Sequence, residues 1–435
     1  MVRGRSRQVQ ARRRPRKTGV RAHACRTRPA GPLRARGLPR PPRTPTGGRA
    51  RRARTDRRGP GIGGRERGSR GVTPARPVRP ADPATPGLHH VTLVARDALK
   101  TIEFYRDVLG LAVVKRTVNF DEPSSYHLYF GVDGGRPGTL LTFFEWPRVP
   151  RGGFGVGGVH HVALSVPDRT ALLRWKRRLD DHHIHVRGPY DRGYFTSIYF
   201  VDPDGQILEL ATEGPGYAID EPADRLGEQI VEPPLERLSG HRDEDAIAAE
   251  MHPEPVRQVD AEMAITGLHH VSGITDDIER ADAFLTGTLG LRRVKRTLNQ
   301  DDGRTAHWFW AAYDGREVAP ASSFSLFHWP GSDYRARPGF GQTHHVAFRV
   351  PDRETQLAWR ERILELGVPV THVQERKYFR SIYFRMHDGM LLELATDGPG
   401  FDVDEPLDRL GSALQLPGWL EPRRAEIERS LRALP

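Results

Sequence analysis

Four His-His dipeptides of the chain sit in similar apolar runs, each with the composition of a β-strand. The runs are "TPGLHHVTLV" from Thr85, "GGVHHVALSV" from Gly157, "ITGLHHVSGI" from Ile265 and "GQTHHVAFRV" from Gly341. A motif that returns at wide intervals indicates a repeated supersecondary unit, and such a repeat restricts the architectures open to the chain.

The two halves of the chain also repeat each other over long segments. The matching pairs are 87–119 with 267–299, 160–179 with 344–363, 194–216 with 378–400, and "DEPADRLG" (220–227) with "DEPLDRLG" (404–411). Within each half, every His-His run is followed by a helical pattern and then by short alternating runs separated by Gly, Pro and Asp turns. This order predicts four β-α-β-β-β modules, at about 87–147, 157–213, 267–330 and 341–397. Gly110, Gly290 and Gly367 are predicted to end helices.

We therefore predict an α+β fold in which four βαβββ modules pair into two half-barrel domains. The boundaries are a disordered tail at 1–85, a first domain at 86–220, a linker at 221–265, a second domain at 266–402 and a C-terminal extension at 403–435.

The tail differs in composition from the rest of the chain. Residues 1–80 hold 26 Lys and Arg but 2 Asp and Glu, so the remainder is acidic although the whole chain has a formal charge of +12. Rich in Arg, Pro and Gly, the tail has too little apolar surface to offset the entropy of ordering, and we expect it to be disordered. We interpret it as dispensable, or as the product of a start codon placed too far upstream. Nucleic-acid binding is expected only through this tail.

Each His-His pair is predicted to send one side chain into a cavity, because adjacent residues of a strand point to opposite faces. The second members are His90, His161, His270 and His345. Each shares its strand face with a small residue two positions on, which suits a crowded ligand site. The first histidine of each pair is expected either to hold the strand in place or to contact the substrate from the side.

Two carboxylates complete the predicted sites. Glu209 in "ILELAT" and Glu393 in "LLELAT" are charged residues in apolar strands, which is costly unless they are paired or metal-bound. The only cysteine, Cys25, lies in the tail, so thiolate sites are excluded from the folded part. Two histidines and one carboxylate per site form a facial triad with open positions, which is typical of non-haem Fe(II) and O₂ chemistry, with Mn(II) as the usual substitute.

Four modules that open with "HH" and end in "DPDGQILEL"-like strands resemble the vicinal oxygen chelate superfamily, which includes glyoxalase I, bleomycin-resistance proteins and extradiol dioxygenases. The stretch "GLHHVTLVARD…FYRDVLGLAVVKRTVNFDEPSSYHLYFG" is most similar to the hydroquinone-type ring-cleaving dioxygenases. The resemblance covers about 87–425. It implies two vicinal-oxygen-chelate half-barrel domains and an enzyme that cleaves hydroquinone- or catechol-like rings with O₂.

The resemblance also implies which residues act together. It joins His90, His345 and Glu393 in one metal site, and by pseudo-symmetry His161, Glu209 and His270 in a second. From the residues alone, the grouping of His90, His161 and Glu209, with His270, His345 and Glu393, stays open. The acid-base and substrate-orienting residues implied are His89, Thr92, His344, Arg376 and Tyr383. The counterparts at the second site are His160, Arg192, Tyr199 and His269, with Ser272 in place of Thr92.

Two other classes of protein compete with this interpretation. A glyoxalase-type isomerase or lyase would bind Ni or Zn and turn over without O₂, and a bleomycin-resistance-like binding protein would need no metal. The expected partners are a small aromatic substrate and O₂, with a homo-oligomer compatible with the sequence. No apolar run is long enough to span a membrane or to form a signal peptide, so we expect a cytoplasmic protein.

Overall fold

The computed structural model describes residues 84–435, so the expected disorder of the tail, with Cys25, falls outside the described residues except at its last two positions. The described chain forms two eight-stranded mixed sheets with helices packed against them. The predicted α+β fold of four βαβββ modules is confirmed. Among residues 84–435, no helix combines the length and apolar character that a bilayer crossing requires.

Each module contributes four strands. The first has β1 (Leu88–Ala95), β2 (Ala112–Val118), β3 (Tyr126–Gly131) and β4 (Leu140–Glu145); the second has β5 (Val159–Val166), β6 (Arg187–Asp191), β7 (Thr196–Val201) and β8 (Ile207–Thr212). The third has β9 (Gly267–Thr275), β10 (Arg292–Asn299), β11 (Asp302–Ala311) and β12 (Ser323–His328); the fourth has β13 (Gln342–Val350), β14 (Gln374–Glu375), β15 (Arg380–Arg385) and β16 (Leu391–Thr396).

One helix follows the first strand of every module. These helices are α1 (Ala98–Ile102, continued by one π-helical segment, Glu103–Val108), α2 (Arg169–Asp181), α4 (Ile278–Leu289) and α5 (Arg353–Glu365); α3 (Glu244–Ala249) lies in the predicted linker and α6 (Arg424–Ser430) in the C-terminal extension. Each module helix begins after an aspartate whose carboxylate accepts backbone N–H bonds of the first turn, namely Asp97, Asp168, Asp277 and Asp352. The predicted stops at Gly110, Gly290 and Gly367 are confirmed, since all three have a left-handed φ of 68° to 75° directly at or after the helix end.

The strand order shows which modules share a sheet. One sheet runs β14-β15-β16-β13-β1-β4-β3-β2 and the other runs β10-β11-β12-β9-β5-β8-β7-β6. The first and fourth modules therefore form one sheet, and the second and third form the other. In both, the two opening strands lie side by side and antiparallel at the centre. The boundaries 86–220 and 266–402 divide the sequence into its two repeats, whereas each sheet takes one module from each repeat.

The "DPDG" turn after β7 contains a buried carboxyl group. Asp202 Oδ2 accepts a bond from the Tyr105 hydroxyl at 3.0 Å, and Oδ1 accepts backbone N–H bonds from Asp204 and Gln206. Burial raises the pKa of Asp202 to about 6. Because the same carboxyl ionises near pH 4 in an unfolded chain, the stability it contributes is present below about pH 4 and is lost as pH rises through about 6.

We expect Asp202→Asn to remove this pH dependence. Between about pH 4 and pH 7, the free energy of unfolding of the variant should improve relative to the wild type by about 2–3 kcal/mol. Urea unfolding of both proteins across this range measures the difference directly, because the titration of all other groups cancels. A difference that does not change with pH would contradict the assignment.

Candidate metal centre

The register of three neighbouring strands brings the first set of predicted ligands together. Ala347 on β13 lies opposite both His90 on β1 and Glu393 on β16. His345 is two residues before Ala347 and therefore shares its face of the sheet. The small Ala347 side chain leaves the space between the two imidazoles and the carboxylate open. The structure thus groups His90 with His345 and Glu393, and the alternative grouping by sequence order is wrong.

The three side chains of this first triad converge on one point. Glu393 Oε2 lies 2.8 Å from His345 Nε2 and 3.5 Å from His90 Nε2, and the two Nε2 atoms are 3.3 Å apart. Burial opposes ionisation of Glu393, but the adjacent imidazoles of His90 and His345 hold the pKa of its carboxyl well below the usual range. Burial lowers the pKa of His345. The result is an ionised carboxylate beside a neutral imidazole, the protonation states that bind a metal.

The second triad repeats this arrangement in the other sheet. Ala163 on β5 lies opposite His270 on β9 and Glu209 on β8, and His161 is two residues before it. Glu209 Oε2 lies 2.9 Å from His161 Nε2 and 3.3 Å from His270 Nε2. In each triad all three residues are buried, and their ligand atoms lie within 4.8 Å of one another.

The first member of every His-His pair lies at a β-bulge, which strict alternation along a strand did not predict. Between β1 and β13 the register steps from Leu88/Phe348 to His90/Ala347, so His89 is the extra residue. The same shift makes extra residues of His160, His269 and His344. The bulge brings consecutive imidazoles together, with Nδ1···Nδ1 distances of 2.7–2.9 Å in all four pairs.

This contact can supply the tautomer that a metal ligand needs. One of the two Nδ1 atoms must carry the proton, and a proton on the second histidine leaves its Nε2 lone pair free to point at the carboxylate. Within residues 84–435, no group is placed to hydrogen-bond the buried His89 Nε2. Burial lowers the pKa of His89 well below its usual value and that of His344 to about 3. Neither histidine lines the cavity of the first triad.

A small cavity of about 20 Å³ adjoins the first triad. This volume holds one water molecule or an ion, so an aromatic ring requires side chains or loops to move. Three of the five residues expected to be catalytic line the cavity, namely Thr92, Arg376 and Tyr383. Arg376 lies beside the Tyr383 ring and donates to Asp121 at 3.2 Å. A larger cavity, of about 640 Å³, is lined by His269 and contains no ligand of either triad.

The structure adds a chain of polar groups that runs from Thr92 to Tyr129 beside the first triad. Thr92 and Thr142 hydroxyls are 2.8 Å apart, and Thr142 Oγ1 lies 3.0 Å from His127 Nε2. His127 Nδ1 in turn lies 3.1 Å from the Tyr129 hydroxyl. The signal was present in the sequence as "SYHLYFG", since His127 and Tyr129 share a strand face, but nothing there fixed which face meets the cavity.

The second triad has most of the same neighbours. Arg192 donates to the Tyr199 hydroxyl at 3.0 Å, and His307 Nε2 lies 3.0 Å from Ser325 Oγ, which contacts Ser272. The phenol that completes the chain at the first triad has no equivalent here, because Phe309 occupies the place of Tyr129.

The donor set of both triads fits a divalent cation. The Oε2 atoms of Glu393 and Glu209 are buried, and within the described residues the groups that face them are imidazole nitrogens. A buried carboxylate is stable only when paired, and nitrogen and oxygen donors in this number suit Fe(II) or Mn(II). His90, His345 and Glu393 would hold one such ion.

Comparison with known proteins gives consistent matches over most of the described chain. The model of the family described as "Glyoxalase/Bleomycin resistance protein/Dioxygenase superfamily" matches residues 87–210 and 267–394. The "Putative ring-cleaving dioxygenase MhqA" of Bacillus subtilis is 35% identical over 80% of this chain and 98% of its own length. The "Chlorohydroquinone/hydroquinone 1,2-dioxygenase" of Sphingobium indicum is 28% identical over 79% and 95%.

A solved structure supports the same relationship. A crystal structure described as a putative dioxygenase from Bacillus subtilis superposes with a TM-score of 0.64 at 31% identity, covering 81% of this chain and 98% of that one. The likeness extends over both sheets, since it spans nearly the whole described region.

Proposed function

The chain belongs to the glyoxalase/bleomycin resistance protein/dioxygenase superfamily, and from this we propose that it is a ring-cleaving dioxygenase acting on hydroquinone- or catechol-like diols with O₂. The observation that carries the proposal is the first triad. Two imidazoles and one carboxylate meet beside a cavity that also holds an arginine and a phenol. Relatives named as ring-cleaving and hydroquinone dioxygenases support the substrate class.

We assign His90, His345 and Glu393 as the ligands of Fe(II), with Mn(II) as the alternative ion. Fe(II) held by two histidines and one carboxylate would supply the redox chemistry that activates an aromatic diol and O₂ together. The protein residues around it bind the diol, exclude water and move protons.

Arg376 and Tyr383 are assigned to stabilise negative charge on the ring oxygens. Burial alone would lower the pKa of Arg376, but Tyr383, Asp121 and Glu393 raise it above the usual value, so the guanidinium stays charged. Burial raises the pKa of Tyr383, so its hydroxyl keeps a proton to donate. Both are donors fixed before the reaction, which is how a site favours charge that develops during it.

Proton transfer from the diol is assigned to the chain that begins at Thr92. A proton taken from a ring hydroxyl can pass through Thr92 and Thr142 to His127 by exchanging hydrogen bonds that are already formed. His89 and His344, expected from the resemblance to be acid-base residues, are proposed here as positioning residues, because each contacts a ligand imidazole rather than the cavity.

Anaerobic loading with Fe(II), followed by O₂ and a panel of hydroquinones and catechols, tests the function. We expect one O₂ consumed per ring opened and a new chromophore from the ring-opened product. Protein stripped of metal by a chelator should consume no O₂ and recover on reloading. Turnover that proceeds without O₂, or no reaction with any diol, would overturn the proposal.

A further inference from the structure

The carboxylate of the second triad lacks the support that its counterpart has. The Ser381 hydroxyl donates to Glu393 Oε1, whereas the equivalent Ser197 hydroxyl lies 3.5 Å from the Tyr199 hydroxyl instead. Glu209 has no exposed side-chain surface, and in the described chain its Oε2 atom faces the imidazoles of His161 at 2.9 Å and His270 at 3.3 Å, with no serine hydroxyl donating to it. A buried carboxylate that meets two imidazoles and no serine hydroxyl calls for a cation, and more strongly here than at the first triad.

A set of polar contacts, called the clamp below, links Gln300 to Arg192 and Ser239, and Asp301 to Arg242. Gln300 Oε1 accepts from Arg192 at 2.9 Å, and its backbone carbonyl accepts from Ser239 N at 2.8 Å. The neighbouring Asp301 accepts from Arg242 Nη2 at 2.7 Å. Arg242 comes from the segment between the two repeats, and 4% of its side chain is exposed. Its guanidinium lies 4.1 Å from the centre of the Tyr190 ring.

The first triad has a more open cover at the same positions. Phe120 stands where the second triad has Gln300, and its ring packs edge-on against Trp419, which is 58% exposed. Asp121 stands where the second triad has Asp301, and 76% of its side chain is exposed while it pairs with Arg376. The Asp301–Arg242 pair, with 28% and 4% of its side chains exposed, is less hydrated than the Asp121–Arg376 pair and therefore resists opening more.

We propose that the second triad is a metal site in its own right, which holds a divalent cation closed in by Arg242, so that this cation exchanges more slowly than the cation of the first triad. By the pseudo-symmetry of the sheets, Gln300 and Arg192 stand where Phe120 and Arg376 line the first cavity. Gln300 is held by the Ser239 backbone N–H and in turn holds Arg192 through Oε1, while the adjacent Asp301 is held by Arg242. A cation leaving the second triad on that side must first break these contacts.

Two measurements test the proposal, and neither depends on enzyme activity. Counting the bound metal tests whether the second triad holds an ion, and release to a chelator tests whether that ion exchanges slowly. Chain stripped of metal is reloaded with Mn²⁺ alone, and we expect about two ions per chain, falling to about one in either Glu209→Gln or Glu393→Gln. Release to excess EDTA should follow two phases. Glu209→Gln should remove the slow phase and Glu393→Gln the fast one.

The matched pair Asp301→Asn and Asp121→Asn isolates the clamp. Asp301→Asn and Arg242→Ala should each speed the slow phase by about tenfold or more, whereas Asp121→Asn, the same change at the first triad, should leave it unaltered. A count of about one ion per wild-type chain would overturn the second metal site. This result does not depend on whether any variant folds. Two ions released in a single phase, or a slow phase insensitive to Asp301→Asn, would overturn the clamp. If two ions bind per chain but no O₂ is consumed, the proposed reaction is wrong and the second metal site still stands.

Discussion

Replacing Glu393 by Gln is expected to lower kcat/KM for ring cleavage by about a thousandfold or more. The side chain is fully buried, and its Oε2 atom lies 2.8 Å from His345 Nε2. Gln has nearly the same shape but no negative charge, so the two neutral imidazoles are left to hold a divalent cation alone. The variant should also lose about one metal ion per chain. Oxygen uptake and elemental analysis of the same samples measure both effects.

Glu365→Gln is the matched control for this substitution. Glu365 ends α5 with an exposed side chain, and the same chemical change there should leave both turnover and metal content unaltered. A Glu393→Gln protein that keeps activity within about tenfold of the wild type would exclude the first triad as the reaction centre. If Glu209→Gln loses activity and Glu393→Gln does not, the second triad is the reaction centre.

The modules and the ligand types were predictable because both depend on local sequence pattern. Each βαβββ unit has its own strand alternation, aspartate cap and terminal glycine, and these act over a few residues. Glu209 and Glu393 were identifiable for a similar reason, since a charge flanked by leucines in an apolar strand has few stable environments. The partnership of modules was different. It depends on which opening strands pair, β1 with β13 and β5 with β9, and no local pattern encodes that choice.

The roles of the first histidines were not predictable from alternation. A strand of regular register would turn His89 away from His90, yet the bulge at His89 places their Nδ1 atoms 2.9 Å apart. The bulge shifts the alternation, since Leu88 and Val91 are three residues apart yet both pack in the core, but a strand that is buried throughout offers no clear alternation in which to see the shift. His127 was missed as a specific neighbour of the site for a related reason, since its contact to Thr142 is set by the pairing of β3 with β4.

Another pair of repeated motifs proves to be linked across the fold. "VKRT" supplies Lys115 and Lys295, and "DEP" supplies the acids that meet them. Lys115 Nζ contacts Glu405 Oε2 at 2.5 Å and Asp404 Oδ1 at 2.7 Å, and Lys295 Nζ contacts Glu221 and Asp220. Each lysine therefore joins a strand of one module to the segment that follows its partner module. The repetition was visible in the sequence, but the contacts span 290 residues at Lys115 and 74 at Lys295.

We expect Lys115→Met to destabilise the protein by about 3–5 kcal/mol. The Lys115 side chain has no exposed surface, and Glu405 is 5% exposed. Methionine fills a similar volume without the charge, so Glu405 remains buried and loses its cationic partner. Urea unfolding followed by tryptophan fluorescence and by circular dichroism measures the loss, and agreement of the two probes shows that both report the same transition.

Two further variants separate the charge from the packing. Lys100→Met removes an exposed lysine of α1 and should change the free energy of unfolding by less than about 0.5 kcal/mol. The double variant Lys115→Met/Glu405→Gln removes both buried charges and should be more stable than Lys115→Met by at least about 1 kcal/mol, because no unpaired carboxylate remains. If the double variant is instead less stable than the single one, the backbone N–H groups of Gly411 and Ala413 that Glu405 also accepts would be its main partners, and the lysine contact secondary.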